Sequence, residues 1–390
     1  MKVIKKLLGT VWKILLVLIA AFGLFFGLGV LGKRLWVTTQ LSTVFYSMVL
    51  PFLILFLLIL LAADGFILWK KKGRKRFYQI NLAAGVLAFV ILCVEAVIFK
   101  SAASAGGGNF SLLRGLTMKD VQMSTPDESV VYADHDGQDL TISIYKPKEK
   151  SENLQPVYVY MHGGGWCSNN ADTNSNMHRQ MADAGFIGFS INYRLCTSGS
   201  MDNPTWDKAI YDCADAMNWI KKHAAEYGGD ADRIFLAGES AGGNLVLQYA
   251  GMTSEGKLDA PVPQAVLAEY PVVDLQWTAD NGHYLGFATP GICEAYIGGK
   301  LSDYPDRLGF VSPLTYMNKK LPPVLILHGT KDTLVSIEGS EEYKKQADEI
   351  GADVSLIKLP FSNHGTDQQV NRTAVLNWLK DYDGMLPDSK

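Results

Sequence analysis

Three apolar stretches occupy the first hundred residues, and they limit what this chain can fold into more than any other feature of its sequence. They span about residues 14–32, 44–66 and 78–99. Each is long enough to cross roughly 30 Å of hydrocarbon as a helix that rises about 1.5 Å per residue. Because 48% of the 390 residues are hydrophobic and 19% are charged, one soluble domain does not account for the composition. We therefore predict a membrane anchor over residues 1–100.

The first apolar stretch has a second interpretation, a cleaved signal peptide, because Lys2, Lys5 and Lys6 precede it. Its apolar part is longer than the h-region of a usual signal peptide, and no small-residue cleavage site with a polar continuation follows. We favour a retained helix, which makes three transmembrane helices in all.

The distribution of basic residues predicts the orientation of this anchor. The loop over residues 70–76 reads Lys-Lys-Lys-Gly-Arg-Lys-Arg, and short loops this rich in Lys and Arg stay in the cytoplasm. A nucleic-acid contact is the alternative, but a basic loop between two membrane helices needs no such partner. With the N-terminal lysines on the same side, three spans place the chain after residue 100 outside the cytoplasm.

Two acidic residues lie in or beside the apolar stretches. Asp64 is near Lys70 in the sequence, and Glu95 is near Lys100. An ionisable residue inside a membrane helix is a functional candidate. Because both carboxylates lie near basic residues at the end of a stretch, we expect them in the headgroup region instead.

A serine flanked by glycines is the central motif of the rest of the chain. Residues 238–242, Gly-Glu-Ser-Ala-Gly, follow an apolar run over 233–237 and open a stretch of small residues over 241–250. This context predicts a strand, a sharp turn and a helix with Ser240 at the apex, where the glycines let strand and helix pass closely. The motif alone is weak, since it occurs by chance in roughly one chain in several, and an ordinary helix-capping turn is the alternative.

Two further buried-strand patterns end near residues that suit a catalytic triad. Residues 323–329 form the first, with Asp332 just beyond its end, and residues 354–359 form the second, followed by His364. With Ser240, the chain order is Ser, Asp, His, each at the carboxyl end of a strand, which is the order of the α/β-hydrolase triad. We predict these three residues as catalytic.

Asp274 is the rival for the role of the acid. It follows a strand pattern over residues 265–269, and some hydrolases carry the acid one strand earlier. Asp332 fits the chain order better, so it is the acid that we favour.

A glycine-rich loop is the candidate oxyanion hole. A β-branched and aromatic run over 157–161 leads into His-Gly-Gly-Gly-Trp at 162–166. We predict that the backbone N–H groups of this loop and of the residue after the nucleophile hold a developing oxyanion. The residues concerned are Gly163, Gly164, Gly165 and Ala241.

The order of the remaining patterns predicts the fold. A glycine-containing stretch over 101–119 is expected to be a flexible linker. From residue 120 to 390 a β-hairpin pattern is followed by alternating strand and helix patterns, which imply a mostly parallel, doubly wound sheet covered on both faces. The segment over about 272–313 continues neither pattern, and we expect it to be a cap inserted over the site.

Five motifs together carry a family resemblance. They are His-Gly-Gly-Gly-Trp at 162–166, Asn-Tyr-Arg-Leu at 192–195, Gly-Glu-Ser-Ala-Gly-Gly-Asn at 238–244, His-Gly-Thr-Lys-Asp at 328–332 and Asn-His-Gly at 363–365. Over about residues 120–384 the chain resembles the hormone-sensitive-lipase-like esterases of the α/β-hydrolase fold. That family usually has Asp where Asn192 and Glu239 stand, and neither is a triad position.

The resemblance implies a serine carboxylesterase for short- to medium-chain acyl esters, acetyl esters among them, with neither a cofactor nor a metal. We place substrate contacts at Trp166, Tyr193 and Glu239. The expected partners are a small-molecule or polysaccharide-linked ester and the lipid bilayer, without nucleic acid. A peptidase or amidase on the same fold and a non-catalytic binding protein are the alternatives. The latter usually lacks a triad member, and this chain has all three.

The five cysteines show no metal-ligand spacing. We expect Cys167 to be a small buried residue beside the glycine loop. Cys196, Cys213 and Cys293 are candidates for pairing in a domain outside the cytoplasm, and their spacing does not decide which.

Overall fold

The computed structural model describes residues 2–33, 37–70, 76–149, 151–284, 287–365, 368–382 and 384–387. A group of N-terminal helices precedes an α/β region. The first five helices are α1 (Lys2–Val30), α2 (Val37–Thr43), α3 (Tyr46–Lys70), α4 (Arg76–Ala105) and α5 (Leu112–Gly115). The later helices are α6 (Ser175–Asp183), α7 (Ala209–His223), α8 (Ala241–Ser254), α9 (Leu275–Asn281), α10 (Thr289–Ile297), α11 (Pro305–Val311), α12 (Ile337–Ile350) and α13 (Gln368–Trp378).

The strands of the α/β region are β1 (Glu128–His135), β2 (Gln138–Tyr145), β3 (Gln155–Met161), β4 (Ile187–Ile191), β5 (Gly229–Glu239), β6 (Ala265–Glu269), β7 (His283–Tyr284), β8 (Phe287–Ala288), β9 (Val324–Gly329) and β10 (Val354–Leu359). Among the described residues, eight of them form one sheet in the order β1-β2-β4-β3-β5-β6-β9-β10. The pairs β1–β2 and β2–β4 are antiparallel, and the other pairs are parallel. This is the mostly parallel sheet that the alternating patterns predict.

Helices cover the sheet on both faces. Ile210 of α7, Leu245 of α8 and Tyr343 of α12 belong to the hydrophobic cluster on one face. Met177 of α6 and Val375 of α13 belong to the cluster on the other. Because β3, β4, β6 and β9 are buried along their whole length, their carboxyl ends, where the candidate site lies, are held on a rigid base.

Within the described residues, three helices are long and apolar enough to cross a membrane. The candidate spans are Gly9–Val30, Tyr46–Lys70 and Arg76–Ala105, with 22, 25 and 30 residues. They correspond to the three predicted stretches, and four of their six ends extend beyond the predicted bounds. The basic loop that we predict between the second and third spans falls largely outside the described residues, at 71–75.

The three candidate spans pack side by side, with α1 and α4 running in one direction and α3 in the other, and glycines allow close approach. A Cβ added at Gly23 would lie 3.2 Å from the Cβ of Ala88, and one added at Gly27 would lie 2.7 Å from Ile91 Cγ2. Gly23 and Gly27 are four residues apart on α1, so they present one small-residue face to α4. Such faces allow membrane helices to pack closely without a hydrophobic driving force.

Asp64 and Glu95, which we expect in the headgroup region, are packed between helices, and their depth in a bilayer stays a prediction. Both side chains are buried between helices, with exposed fractions of 0% and 2%. Asn81 Nδ2 donates to Asp64 Oδ2 at 2.6 Å, and the Tyr46 hydroxyl donates to Glu95 Oε2 at 3.4 Å. A polar partner on the facing helix is what makes such burial tolerable.

One end of the helical bundle packs against the α/β region. Lys331 Nζ donates to the carbonyl of Gly32, just after α1, at 2.8 Å. The ring of Tyr46, the first residue of α3, lies 5.4 Å from the ring of Phe361. Ala103, near the end of α4, is buried in the same hydrophobic cluster as residues of β10 and α13. The helical bundle and the α/β region therefore share a packed interface.

The segment after α4 differs from the flexible linker predicted over residues 101–119. Helix α4 continues into it, and the following turn lies against α13. Asn109 N donates to Thr373 Oγ1 at 2.7 Å, and Asn377 Nδ2 donates to the carbonyl of Gly107 at 2.6 Å. Glycine serves here for close approach, not for flexibility.

Candidate active site

Ser240 lies in a tight turn between β5 and α8. Its backbone has φ of 53° and ψ of −116°, a conformation that is strained for a residue with a side chain. A Cβ added at Gly238 would lie 2.5 Å from the carbonyl oxygen of Gly242, and one added at Gly242 would overlap the carbonyl of Met161. Only glycine fits at these two positions, so the local sequence dictates a turn that lifts the serine Oγ out of the backbone.

The structure brings the three predicted triad residues into hydrogen-bonding contact. His364 Nε2 lies 3.0 Å from Ser240 Oγ, and His364 Nδ1 lies 2.8 Å from Asp332 Oδ2. Each of the three follows a strand of the parallel sheet, at its carboxyl end. This is the arrangement of a nucleophile, a base and an orienting acid.

Asp332 is completely buried and fully engaged. Its Oδ1 accepts hydrogen bonds from the backbone N–H groups of Leu334 and Val335, both at 2.8 Å. Burial by itself raises the pKa of this carboxyl, but the charges and hydrogen bonds of His364 and His328 outweigh burial and hold its pKa well below the usual range. The carboxylate therefore stays ionised at any pH at which the histidine works.

His328 is a residue whose contribution sequence reasoning missed. Its Nε2 lies 3.3 Å from Asp332 Oδ2, and its Nδ1 is paired with Ser340 Oγ at 2.8 Å. A signal for this contact was present in the sequence, because His328 is the second-last residue of β9 and stands only four positions before Asp332.

The structure assigns the rival acid, Asp274, to another task. It is exposed, and its Oδ1 accepts from the backbone N–H of Trp277 at 2.8 Å at the start of α9. This is an ordinary helix N-cap. The geometry favours Asp332 as the partner of His364.

The glycine loop lies directly against Ser240. A Cβ added at Gly163 would lie 3.2 Å from Ser240 Cβ, and Gly164 and Gly165 have φ values of 112° and 61°. All three glycines line the cavity that holds Ser240 and His364. Ala241 is the first residue of α8, where a backbone N–H has no acceptor within the helix.

His162 and Tyr193 support this loop from behind. Their rings stack with centroids 4.4 Å apart, His162 Nδ1 lies 2.7 Å from the Gly163 carbonyl, and the Tyr193 hydroxyl donates to the His162 carbonyl at 2.7 Å. Burial lowers the pKa of His162 to about 4, although its bond to Gly163 opposes this shift. The ring is therefore a neutral brace. The substrate contact that we predicted for Tyr193 is corrected accordingly, since this side chain is 2% exposed and faces the loop.

Trp166 and Glu239, the other two predicted substrate contacts, do line the triad cavity, whose volume is about 380 Å³. Trp166 stacks on Tyr296 of the cap at a centroid distance of 4.1 Å. The carboxyl of Glu239 accepts a short hydrogen bond from the Tyr270 hydroxyl. The cap segment thus closes one side of the cavity, while Glu239 fixes the ring that packs edge-on against His364.

A disulfide joins the glycine loop to the loop after β4. Cys167 is bonded to Cys196, with their Cα atoms 4.6 Å apart. Cys167, which we expected to be only a small buried residue, is therefore half of a disulfide. Cys213 and Cys293 are buried thiols, so of the three cysteines proposed for pairing only Cys196 is bonded.

A second carboxyl, that of Glu269, belongs to the strand beside the Ser240 turn. Glu269 is the strand neighbour of Glu239 across β5 and β6 and is fully buried. Burial, reinforced by the charge of Glu239, raises the pKa of Glu269 to about 8, although a hydrogen bond from Asn371 opposes the shift. Glu269 is therefore protonated at neutral pH.

Replacing Glu269 with glutamine is expected to stabilise the protein above neutral pH. Between the pKa of an unfolded glutamate and about 8, the folded chain binds a proton that the unfolded chain releases, so the free energy of unfolding falls as the pH rises. Glutamine does not ionise, so it removes this fall in the free energy of unfolding. We expect the Tm advantage of Glu269→Gln over the parent to grow by at least about 3 °C between about pH 5 and about pH 9. Glu349→Gln, at an exposed position on α12, is the control. Equal pH dependence in both variants would contradict the assignment.

The sequence and the fold were compared with those of known proteins. Residues 142–347, more than half of the chain, match the BD-FAE family. The chain belongs to the BD-FAE family. Members of this family have the α/β-hydrolase fold, which agrees with the sheet order and the nucleophile turn described above. The family assignment agrees with the resemblance to hormone-sensitive-lipase-like esterases.

Several proteins and solved structures to which this BD-FAE family member is similar are named esterases. Esterase LipQ of Mycobacterium tuberculosis is 29% identical over 59% of this chain and 55% of its own length. Carboxylesterase NlhH of the same organism is 41% identical over 27% of this chain and 32% of its own. The chain thus matches about half the length, or less, of these relatives. Esterase 2 of Thermogutta terrifontis, phosphonylated by sarin, has a TM-score of 0.55 at 25% identity, covering 68% of this chain and 98% of that one. Its propionate-bound structure has a TM-score of 0.53.

Proposed function

We propose that this protein is a membrane-anchored serine carboxylesterase that hydrolyses short- to medium-chain acyl esters. The observation that carries the proposal is the pair of contacts at His364, 3.0 Å to Ser240 Oγ and 2.8 Å to Asp332 Oδ2, beside a glycine loop in one cavity. Such a set of groups suits acyl transfer through a covalent intermediate.

The reaction proceeds in two steps. His364 Nε2 takes the proton from Ser240 Oγ as this oxygen attacks the ester carbonyl, and Asp332 holds the imidazole tautomer and stabilises the imidazolium. The N–H groups of the glycine loop and of Ala241 stabilise the tetrahedral oxyanion. His364 then protonates the departing alcohol, and water, activated by the same base, releases the acid from the acyl-serine.

The relatives support both the reaction and the size of the acyl group. LipQ, NlhH and the Thermogutta protein are all named esterases. The Thermogutta protein carries an organophosphorus group in one structure and propionate in another. A cavity of about 380 Å³, lined by Trp166 and Ile292 among others, suits an acyl group of this kind.

The activity is tested with full-length protein in detergent and a series of p-nitrophenyl esters from acetyl to palmitoyl. We expect kcat/KM to be highest among the acetyl to octanoyl esters. The corresponding p-nitroanilides should react much more slowly. Faster turnover of the anilides than of every ester would assign the protein to the peptidase or amidase class. Turnover of neither series would support a binding protein.

We also infer that the catalytic domain lies outside the cytoplasm. The three spans alternate in direction, so the ends that contact the α/β region are all at one face of the bundle. The disulfide between Cys167 and Cys196 adds support, because such bonds persist in oxidising compartments. The basic loop over 70–76 would then lie in the cytoplasm.

This orientation predicts that a tag placed after the C-terminus is digested by protease added to intact cells or spheroplasts. A tag placed before residue 1 should resist digestion until the membrane is broken. The opposite pattern would place the site in the cytoplasm and would contradict the charge argument. Protection of the C-terminal tag in intact cells, together with alkylation of all five cysteines as free thiols, would also place the site in the cytoplasm.

A further inference from the structure

A second cavity adjoins the triad cavity on the side of the catalytic histidine. Its volume is about 290 Å³, and it shares Tyr270, His364 and Gly365 with the triad cavity. Ser240 and the glycine loop line the triad cavity, whereas the second cavity, which we call the anchor cavity, is bounded by residues 43–48 of the helical anchor. The catalytic histidine thus lies between two spaces with different walls.

Mechanism decides which part of an ester belongs in each space. The carbonyl carbon must lie at Ser240 with its oxygen at the glycine loop, so the acyl group extends into the triad cavity. The leaving oxygen must be within reach of His364 Nε2, because that atom gives it a proton. The alcohol portion therefore extends past His364, towards the anchor cavity.

The wall of the anchor cavity is the beginning of a candidate membrane span. Tyr46, which lines the cavity, is the first residue of α3. The preceding helix α2 buries its polar side chains Thr39, Gln40, Ser42 and Thr43 against the rest of the protein. Its apolar side chains point outward, and Val37, Leu41 and the following Phe45 are 68%, 50% and 59% exposed.

On a surface helix that faces water, the polar side chains are exposed and the apolar ones are buried. Helix α2 shows the reverse, which suits a helix lying in the bilayer interface. Because the apolar side chains point away from the protein next to the start of α3, their surroundings would be lipid. Phe45 belongs both to this outward face and to the lining of the anchor cavity. The cavity therefore opens at the level where the bilayer begins.

The anchor is also bonded to the loop that carries the catalytic histidine. Asn363 Nδ2 donates to Thr43 Oγ1 at 2.9 Å, and Asn363 Oδ1 accepts from the backbone N–H groups of His364, at 2.7 Å, and Thr333, at 2.9 Å. The position of His364 relative to α2 is thus fixed by direct contacts.

We propose that the anchor cavity binds the alcohol portion of a bilayer-resident ester, an ester of a small acid with a long-chain, lipid-like alcohol that enters from the membrane. The proposal rests on the esterase function above and adds that the membrane anchor forms part of the substrate site. The polar rim of the cavity, where Arg114 is paired with Asp120 at 2.6 Å, matches the headgroup level of such an amphiphile.

The test uses full-length protein in phosphatidylcholine nanodiscs and three esters, ethyl acetate, hexadecyl acetate and ethyl hexadecanoate. Ser47→Trp fills the anchor cavity from the anchor side, and Met118→Trp fills it from the opposite wall. We expect each variant to lower the ratio of kcat/KM for hexadecyl acetate to that for ethyl acetate by roughly tenfold or more. Ser101→Trp, at an exposed position near the same end of α4, should leave this ratio unchanged.

Two results would overturn the inference while leaving the esterase function intact. One is an unchanged ratio in both cavity-filling variants with normal hydrolysis of ethyl acetate. The other is a loss confined to ethyl hexadecanoate, which would place the acyl chain in the anchor cavity. If the parent protein cleaves none of the three esters, the esterase function fails, and the inference fails with it.

Discussion

Replacing Ser240 with alanine is expected to lower kcat for p-nitrophenyl acetate by roughly four to six orders of magnitude. Without the Oγ no acyl-enzyme forms, and only the oxyanion hole and substrate binding remain to accelerate attack by water. The variant should fold normally, because alanine keeps the Cβ that the turn already accommodates. The measurement is kcat by steady-state kinetics, together with the Tm of each protein.

Ser168→Ala is the matched control for this variant. Ser168 is an exposed serine on the same cavity, and its hydroxyl donates to the Gly164 carbonyl at 2.8 Å without contact to a base. We expect its loss to change kcat by less than about tenfold. Comparable losses in the two variants, or full activity in Ser240→Ala, would remove Ser240 from the role of nucleophile.

Replacing Asp332 with asparagine is expected to lower kcat by roughly 10⁴-fold. An amide cannot stabilise the imidazolium, and its NH₂ group favours the wrong tautomer of His364. Asp274→Asn should change kcat by no more than a few-fold, because asparagine is as good an N-cap as aspartate and the cap of α9 is kept. The measurement is kcat for both variants at one pH. If the larger loss occurs in Asp274→Asn, the acid has to be reassigned to Asp274.

The proximity of Ser240, Asp332 and His364 was predictable because each of them follows a strand whose pattern is visible in the sequence. Parallel strands bring their carboxyl ends to one edge of the sheet, so Ser240, Asp332 and His364 had to be neighbours once the strands were recognised. The nucleophile turn was equally local, since Gly238 and Gly242 are required by atoms within the motif or on the adjacent strand.

Local sequence patterns could not predict the interface between the N-terminal helical bundle and the α/β region. Hydropathy shows that a helix is apolar, but it does not show which of its faces meets which partner. The bond between Asn363 and Thr43 joins residues separated by 320 positions, and no periodicity records it. For the same reason the polar partners of Asp64 and Glu95 were missed, since each lies on a facing helix.

Tyr193 and the disulfide show a further limit. A tyrosine next to a glycine loop in three dimensions can face the substrate or brace the loop, and only its packing against His162 decides between these roles. Likewise, Cys167 and Cys196 lie 29 residues apart on different loops, and spacing alone does not determine connectivity.

Mass spectrometry of the protein after incubation with paraoxon tests the central claim most directly, because the reagent traps a serine that has both a base and an oxyanion hole. We predict one diethylphosphoryl group per chain, located on the peptide that contains Ser240, and loss of esterase activity in proportion to labelling. His364→Ala should abolish the labelling. Modification of another residue with Ser240 left free, or labelling of Ser240 that persists unchanged in His364→Ala, would contradict the proposed site.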